Sequence, residues 1–405
     1  MAALPVEPVR SVYVHAPFCA RRCPYCDFAV EVRRVGDLDG WTDALAGELG
    51  ALEREGRFPL ASELETLYVG GGTPSLLGPR AMAALAAVLG PERLCARTLD
   101  RGLEWTAEAN PESVTPELVR AWRAAGVTRL SLGVQSFHEP TLAWMGRLHG
   151  ASGALAAVAT ARKQGLEELS IDLIFALPET SRARADATGR SWDADLDEAL
   201  ALAPPHISLY GLTVEGGTPL ARSVAEGRVQ LASEESYREE YLRAAERLTA
   251  AGYLHYEVSN FALPGHESRH NRGYWEGGAY LGLGNGAHSF SNPLRRWNVR
   301  SWEDYARRVA SGVLAVAGKE EVTGEARRLE EVWLGLRTAR GLPWSALTPA
   351  ALRVVEEWER QGWSRRESGP EGDRVRLTAV GWLLLDRLAV ELDAALAPGS
   401  LALRA

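Results

Sequence analysis

Basic charge is in short supply. Lys and Arg number 45 against 53 Asp and Glu, a formal net charge of -8, so the global balance carries no footprint of a nucleic-acid binder or of a protein drawn to anionic lipid. Long apolar runs are missing as well. No uninterrupted stretch reaches the roughly 20 residues that cross a bilayer, and the first residues lack the basic, apolar and small-residue succession of a secretory signal. The expectation is a cytoplasmic protein with no nucleic-acid partner. Cysteine is scarce too: four residues in 405 do not make the disulfide framework of a small secreted domain. What is abundant is core material, 46% hydrophobic residues and 13 Trp, enough for one large enzyme-sized domain and a smaller appendage.

Three of the four cysteines fall within eight positions, Cys19, Cys23 and Cys26 in "VHAPFCARRCPYCDF" (14 to 28). Structural zinc wants four ligands, usually as two pairs, and no second pair or neighbouring His completes a tetrahedron here. Iron-sulfur cubes are held by thiolates, and three thiolates from one short loop leave one iron without a protein ligand, open to a small molecule. Arg21, Arg22 and Pro24 among the cysteines favour an exposed loop over three buried apolar thiols. Cys95 stands alone among Arg and Leu and reads as an incidental buried or half-buried thiol with no cluster role.

Along the chain, short β-rich apolar runs alternate with helical patterns. The strands are expected at 11–15, 66–72, 103–109, 129–134, 169–175 and 207–212, with helices such as "WTDALAGELGALERE" and "PELVRAWRAAG" between them. Strand and helix repeated six times give a parallel sheet with right-handed crossovers, an α/β fold of the incomplete (β/α)6 barrel type over residues 1–300. Helices, a Gly/Pro hairpin at "WSRRESGPEGDRVRLT" and a closing helix at "AVGWLLLDRLAVEL" make residues 301–405 a smaller α+β, winged-helix-like domain. The acids mixed among its arginines favour a packing or covering role over DNA binding.

In such barrels chemistry sits at the C-terminal ends of the strands. There stand the glycine turn Gly71, Gly72 and Thr73, whose amides could be free for an amino-acid moiety, then Glu108, Gln135 and Asp172, with Arg147 between the last two. A carboxylate at a strand end can accept from an amino or ribose hydroxyl group, and an arginine can pair with a carboxylate.

The cysteine spacing C-x3-C-x2-C resembles the signature of the radical S-adenosylmethionine (SAM) superfamily, and "VYVHAPFC" and "CPYCDF" resemble the branch holding oxygen-independent coproporphyrinogen III dehydrogenase and its haem-chaperone relatives. The resemblance implies a 4Fe-4S cluster on Cys19, Cys23 and Cys26, with S-adenosylmethionine on the open iron and an electron source for the cluster. It also implies a cofactor-contacting set of Tyr13, Tyr25, Gly71, Gly72, Thr73, Glu108, Gln135, Arg147 and Asp172.

Three features lean to the chaperone side of that branch. Phe28 stands where the dehydrogenases carry a further cysteine, only ten residues precede the first strand, and "HNRGYW" (270 to 275) resembles the HNxxYW motif of the haem chaperones. That motif implies haem on His270, with His288 as the competing imidazole and Tyr274 and Trp275 as packing partners. The expected function is haem binding and transfer to an acceptor haemoprotein, with room for peripheral membrane contact through a membrane-bound acceptor. The alternative is decarboxylation of porphyrinogen propionates by the same cofactors, and a nucleic-acid-binding regulator acting through the C-terminal module is the third.

Overall fold

The computed structural model describes residues 7–95, 98–178 and 191–396. They fall into two compact units, Met1–Tyr237 with Ala279–Glu320, and Arg238–Gly278 with Glu321–Ala405. The chain therefore does not divide at residue 300, where the sequence suggested a boundary. The second unit takes a piece from the middle of the chain, and the motif at 270–275 lies in it.

The first unit is built on parallel strands β1 (Ser11–Ala16), β2 (Thr66–Gly71), β3 (Glu104–Ala109), β4 (Arg129–Gln135), β5 (Leu169–Phe175) and β6 (His206–Gly211), adjacent in that order. These are the six expected strands, shifted by no more than a residue at either end. A seventh, β7 (Leu281–Leu283), pairs parallel with the free side of β1. Helices connect successive strands, and their ends are written in the sequence. Pro116–Ala125, for example, starts on a Thr115 side chain that accepts from Leu118 N and stops at Gly126 with φ +114.

The strand registers sort the side chains into two faces, since neighbours in a strand point opposite ways. One face carries aligned apolar rows: Val12, Leu67 and Trp105, then Leu132, Ile171 and Ile207. All six are buried, with no exposed surface, and burying such rows supplies most of the stabilisation at about 25 cal/mol per Å² of apolar surface. The other face carries polar rows. Tyr13 lies beside Tyr68, Glu108 beside Ser131, and Asp172 beside Ser208. Asp172 is thus in the middle of β5 and not at its end as the sequence reading had it; it reaches the site because its face points there.

Beyond β7 the chain runs through the antiparallel pair His288–Ser291 and Leu294–Asn298 to the helix Trp302–Ala310. This returning segment is tied to the first long helix, Leu38–Glu55, through fully buried Glu48. The carboxylate accepts from Gly284 N at 2.8 Å, from the Tyr305 hydroxyl at 2.6 Å and from the Asn298 amide. A buried carboxylate is tolerated when it is saturated with donors in this way.

In the second unit, the hairpin Leu254–Glu257 with Asn260–Ala262 stands with the helices Gly324–Arg337 and Pro349–Arg360 and a three-stranded sheet. That sheet is made by Leu342–Pro343, Gly372–Leu377 and Ser364–Gly369. The expected closing helix is two, Ala379–Trp382 and Leu385–Ala395. Gly381 sits so close to the Trp363 carbonyl that a Cβ would lie 2.0 Å away, and Leu384 N turns back to Gly381 O. The arginines of the hairpin face carboxylates of the same hairpin: Arg366 with Asp373, Arg365 and Arg376 with Glu367, and Arg374 with Glu371 at 3.8 Å.

Candidate functional site

The first cysteine follows β1 directly. Phe18–Cys19 pairs parallel with Glu31–Val32, closing the segment between them into a loop, and Cys26 N donates to Cys23 O in a turn inside it. All four cysteines are free thiols. Cys19, Cys23 and Cys26 are half-buried, while Cys95 is exposed, at the end of a short surface turn where its Sγ reaches Pro91 O. The expectation that Cys95 is buried or half-buried is corrected; it lies apart from the site.

The loop opens into a cavity of about 510 Å³. Its lining contains Cys19, Cys23 and Cys26 together with Tyr25, Gly71, Gly72, Thr73, Glu108, Gln135, Arg147 and Asp172. Residues spread over 154 positions of sequence thus face one space. Tyr13 is not part of the lining. It lies one row deeper, stacked on Tyr68 at 6.1 Å, with its hydroxyl 3.1 Å from His15 Nδ1. His270 and His288 do not line this cavity either.

The glycine turn works differently from the sequence expectation. Its amides are taken: Gly71 N donates to Glu108 Oε2 at 3.0 Å, Gly72 N to Ala16 O at 2.8 Å and Thr73 N to Phe18 O at 2.8 Å. Gly71 has φ +104, and a Cβ there would lie 2.3 Å from the His15 ring. The glycine lets the turn fold against β1 and the start of the cysteine loop.

The polar groups of the cavity are held in two connected sets. Arg147 Nη2 donates to Asn110 Oδ1 at 2.7 Å and to Gly133 O at 2.6 Å. The Asn110 amide then donates to Thr73 Oγ1 at 3.2 Å, and Thr73 Oγ1 lies 3.4 Å from Cys19 Sγ. Arg147 Nη1 is 3.9 Å from Cys23 Sγ, and Arg147 Nε is buried with no hydrogen-bond partner among the described residues. A buried unpaired donor is rare and costly, and here it sits on a cation beside the thiols.

In the second set, Tyr68 donates to Glu108 Oε1 at 2.8 Å and Ser131 lies 3.2 Å from Asp172 Oδ1. Burial pushes the Glu108 carboxyl up to about 7, the Asp172 charge adding to the rise and the Tyr68 and Gly71 hydrogen bonds opposing it. Burial likewise pushes Asp172 up to about 6, against the hydrogen bonds of Ser208 and Ser131. Two carboxyls with raised pKa values and a guanidinium lining one cavity suit a ligand that is itself zwitterionic.

The thiols fit an iron-sulfur cube. Burial pushes Cys19 up to about 11 and raises Cys26 as well, so both are protonated without metal and loading releases those protons. Among the described residues, no three His, Cys, Asp or Glu side chains converge on a single ion; thiolates that each take a separate iron of a cube need not do so.

Asn110 and Tyr68 are the residues that sequence reasoning missed. Each is close in sequence to a residue it did pick, Asn110 two positions after Glu108 and Tyr68 three before Gly71. Their roles depend on partners 37 and 40 residues away. Phe28, 61% exposed, stands in the cavity lining at its mouth.

The helix Arg269–Trp275 carries the second motif. His270 is buried, and its Nε2 lies 2.8 Å from the Tyr274 hydroxyl, the two rings edge to face at 4.8 Å. Burial pushes the imidazole down to about 3, so it is neutral, the form that ligates a metal. Trp275 packs its ring under the Arg337 guanidinium at 4.0 Å, and Arg337 pairs with buried Glu257 at 2.9 Å. His288 is exposed at a strand start and stacks on Trp297 at 5.8 Å.

The model of the radical SAM superfamily matches residues 13–191. The heme chaperone HemW of Mycobacterium tuberculosis (strain ATCC 25618 / H37Rv) is 39% identical over 389 residues, 95% of each chain. The heme chaperone HemW of Escherichia coli (strain K12) is 37% identical over 282 residues, 69% of this chain and 70% of its own. Among solved structures, the coproporphyrinogen III oxidase HemN of Escherichia coli superposes with a TM-score of 0.75 at 22% identity, covering 98% of this chain and 92% of that one. At that identity the likeness speaks to the fold. No helix among the described residues is long and apolar enough to cross a membrane.

Proposed function

The chain belongs to the HemW family of the radical SAM superfamily, and from that premise we propose that it is a haem chaperone, holding a 4Fe-4S cluster and S-adenosylmethionine in the barrel cavity and passing haem to an acceptor haemoprotein. The observation that carries the reading is the end-to-end match to HemW, 95% of each chain, and the Phe28 position agrees with it. Three thiols serve the cavity, and the position that resembles the fourth thiol of the porphyrinogen-oxidising branch is an exposed aromatic side chain.

Cys19, Cys23 and Cys26 hold three irons of the cube. When bound, the cluster supplies a one-electron donor and one iron free of protein ligands. Around that opening, Arg147 is the partner for the carboxylate of S-adenosylmethionine, its unpaired Nε included. Glu108 and Asp172 are the acceptors for amino and ribose hydroxyl groups, and Gln135 and Thr73 add neutral polar contacts. Tyr68 and Ser131 aim the two carboxyls, and Asn110 aims the guanidinium; Tyr13 supports Tyr68 from the neighbouring strand. Tyr25 packs against Met145, Ile174 and Leu177 and keeps water from the inner side of the loop.

Haem belongs on His270. The neutral imidazole fits an axial ligand, but its Nε2 is engaged by Tyr274, so ligation through Nε2 has to release that hydrogen bond. Haem titration of the purified protein and of His270→Ala and His288→Ala variants tests the assignment. The expected result is a Soret band altered or weakened only by His270→Ala. An unchanged band in His270→Ala, with loss in His288→Ala, moves the ligand to His288.

A further inference from the structure

The segment 284–300, more than 250 residues beyond the cysteines, grips the loop that carries them. Asn285 is fully buried in the turn after β7. Its Nδ2 donates to two carbonyls at once, Ala29 O at 3.0 Å and Arg300 O at 2.9 Å. Gly286, with φ +69, lies so close that a Cβ would come within 2.8 Å of the Ala29 Cβ. From the other end of the segment the Arg300 guanidinium reaches Asp27, pairing with Oδ1 at 3.0 Å and donating to its carbonyl. Asp27 and Ala29 are the first and third residues after Cys26.

The grip is itself anchored. Gly286 N donates to Val299 O and Asn298 N to Ala287 O, both at 2.9 Å, so Asn285 and Arg300 sit on two sides of one small braced turn. Glu48 ties that turn to the first long helix through Gly284 and Asn298. Strand pairing of Phe18–Cys19 with Glu31–Val32 closes the two ends of the cysteine loop. On its C-terminal limb, between Cys26 and that strand, Asn285 and Arg300 fasten it together with His15, whose Nε2 lies 3.0 Å from Ala29 O.

We propose that Asn285 and Arg300 are positioning residues for the cluster: a latch that holds the C-terminal limb of the loop in the geometry its three thiols need, and that cluster loading tightens in return. This rests on the reading that Cys19, Cys23 and Cys26 hold a 4Fe-4S cluster. Ordering a loop costs conformational entropy, and residues that order it before the metal arrives lower that cost at the moment of binding. Coupling of this kind is reciprocal, so whatever Asn285 does for the cluster, the cluster does for the segment around Asn285.

The test uses full-length protein reconstituted anaerobically with iron and sulfide. Wild type, Asn285→Ala and Arg300→Gln are compared for cluster retention against a chelator and for the electron paramagnetic resonance of the reduced cluster. Hydrogen exchange at Gly286 and Asn298 is followed with and without cluster. Outer-shell residues typically change metal affinity by 10- to 100-fold. The buried Asn285 should lie near the lower end, about a tenfold faster loss, and the exposed Arg300 below it.

In wild type the amides of Gly286 and Asn298 should exchange more slowly once the cluster is loaded, an outcome that needs no variant to fold. Equal cluster retention and resonance in Asn285→Ala and wild type, or exchange at 286 and 298 indifferent to the cluster, overturns the latch while leaving the three-thiol site standing. A wild-type protein that takes up no cluster overturns the site itself and the latch with it.

Discussion

The barrel cavity and the helix Arg269–Trp275 are both marked by motifs, and they stand in opposite conditions. In the cavity, the marked residues face open space and keep unspent capacity: Arg147 Nε has no partner among the described residues, and the Glu108 and Asp172 carboxyls are pushed up to about 7 and 6. On the helix, the marked residues face each other. His270 is buried against Tyr274, and Trp275 lies under a guanidinium already paired with Glu257. The first site is preorganised for its ligands, as sites on rigid strands generally are. The second has to open, and its ligand affinity is reduced by whatever the closed contacts are worth.

The largest effects should fall on the preorganised side. Replacing Cys19, Cys23 or Cys26 by Ala removes one of three protein ligands and should abolish the cluster, whereas Cys95→Ala should keep it. Iron and sulfide analysis after anaerobic reconstitution reads the difference, and cluster loss in Cys95→Ala would break the assignment of the loop. Next, Glu108→Ala and Arg147→Ala should keep iron but weaken S-adenosylmethionine binding by about 10- to 100-fold, since each deletes a charged group and leaves its neighbours unpaired. Calorimetry showing unchanged affinity in both would take them out of the site.

A pH titration sharpens the same point. The Glu108 and Asp172 carboxyls are raised to about 7 and 6, so lowering the pH through that range protonates the acceptors a bound ligand needs. Binding should be strongest above pH 7 and fall progressively below it, about tenfold per unit for each group once below its midpoint. The slope should flatten in Glu108→Gln. The smallest effect belongs to the closed site. Tyr274→Phe frees His270 Nε2 from a hydrogen bond worth about 1 kcal/mol, so haem affinity should rise by a few-fold. A fall instead would make the Tyr274 hydroxyl part of the haem contact and not its competitor.

How much of this was legible in the sequence follows from where each signal is stored. The six barrel strands are buried runs with a polar residue on alternate positions, and that local pattern placed their ends within a residue. The cysteines, Glu108 and Gln135 were legible as cavity residues because short motifs or strand ends mark them, and Arg147 through the family resemblance alone. Asn110, Tyr68 and Asn285 were not, because each acts through partners 37, 40 and 256 residues away, and nothing local distinguishes them from ordinary loop or strand residues. The glycine turn was read for its backbone freedom, which is real at Gly71, while the use of its amides within the protein depended on how β1 and β3 lie beside it. The unit boundary was missed for a similar reason: a chain that leaves a unit and returns shows no change of composition at the crossing.

The central claim, a chaperone that holds haem on a radical SAM scaffold without oxidising porphyrinogens, is tested most directly by giving the fully reconstituted protein both molecules under reducing, anaerobic conditions with S-adenosylmethionine. Haem should be retained and released to an apo-haemoprotein, and coproporphyrinogen III should be recovered unchanged. Decarboxylated product forming at a catalytic rate would contradict the account and turn it toward the dehydrogenase.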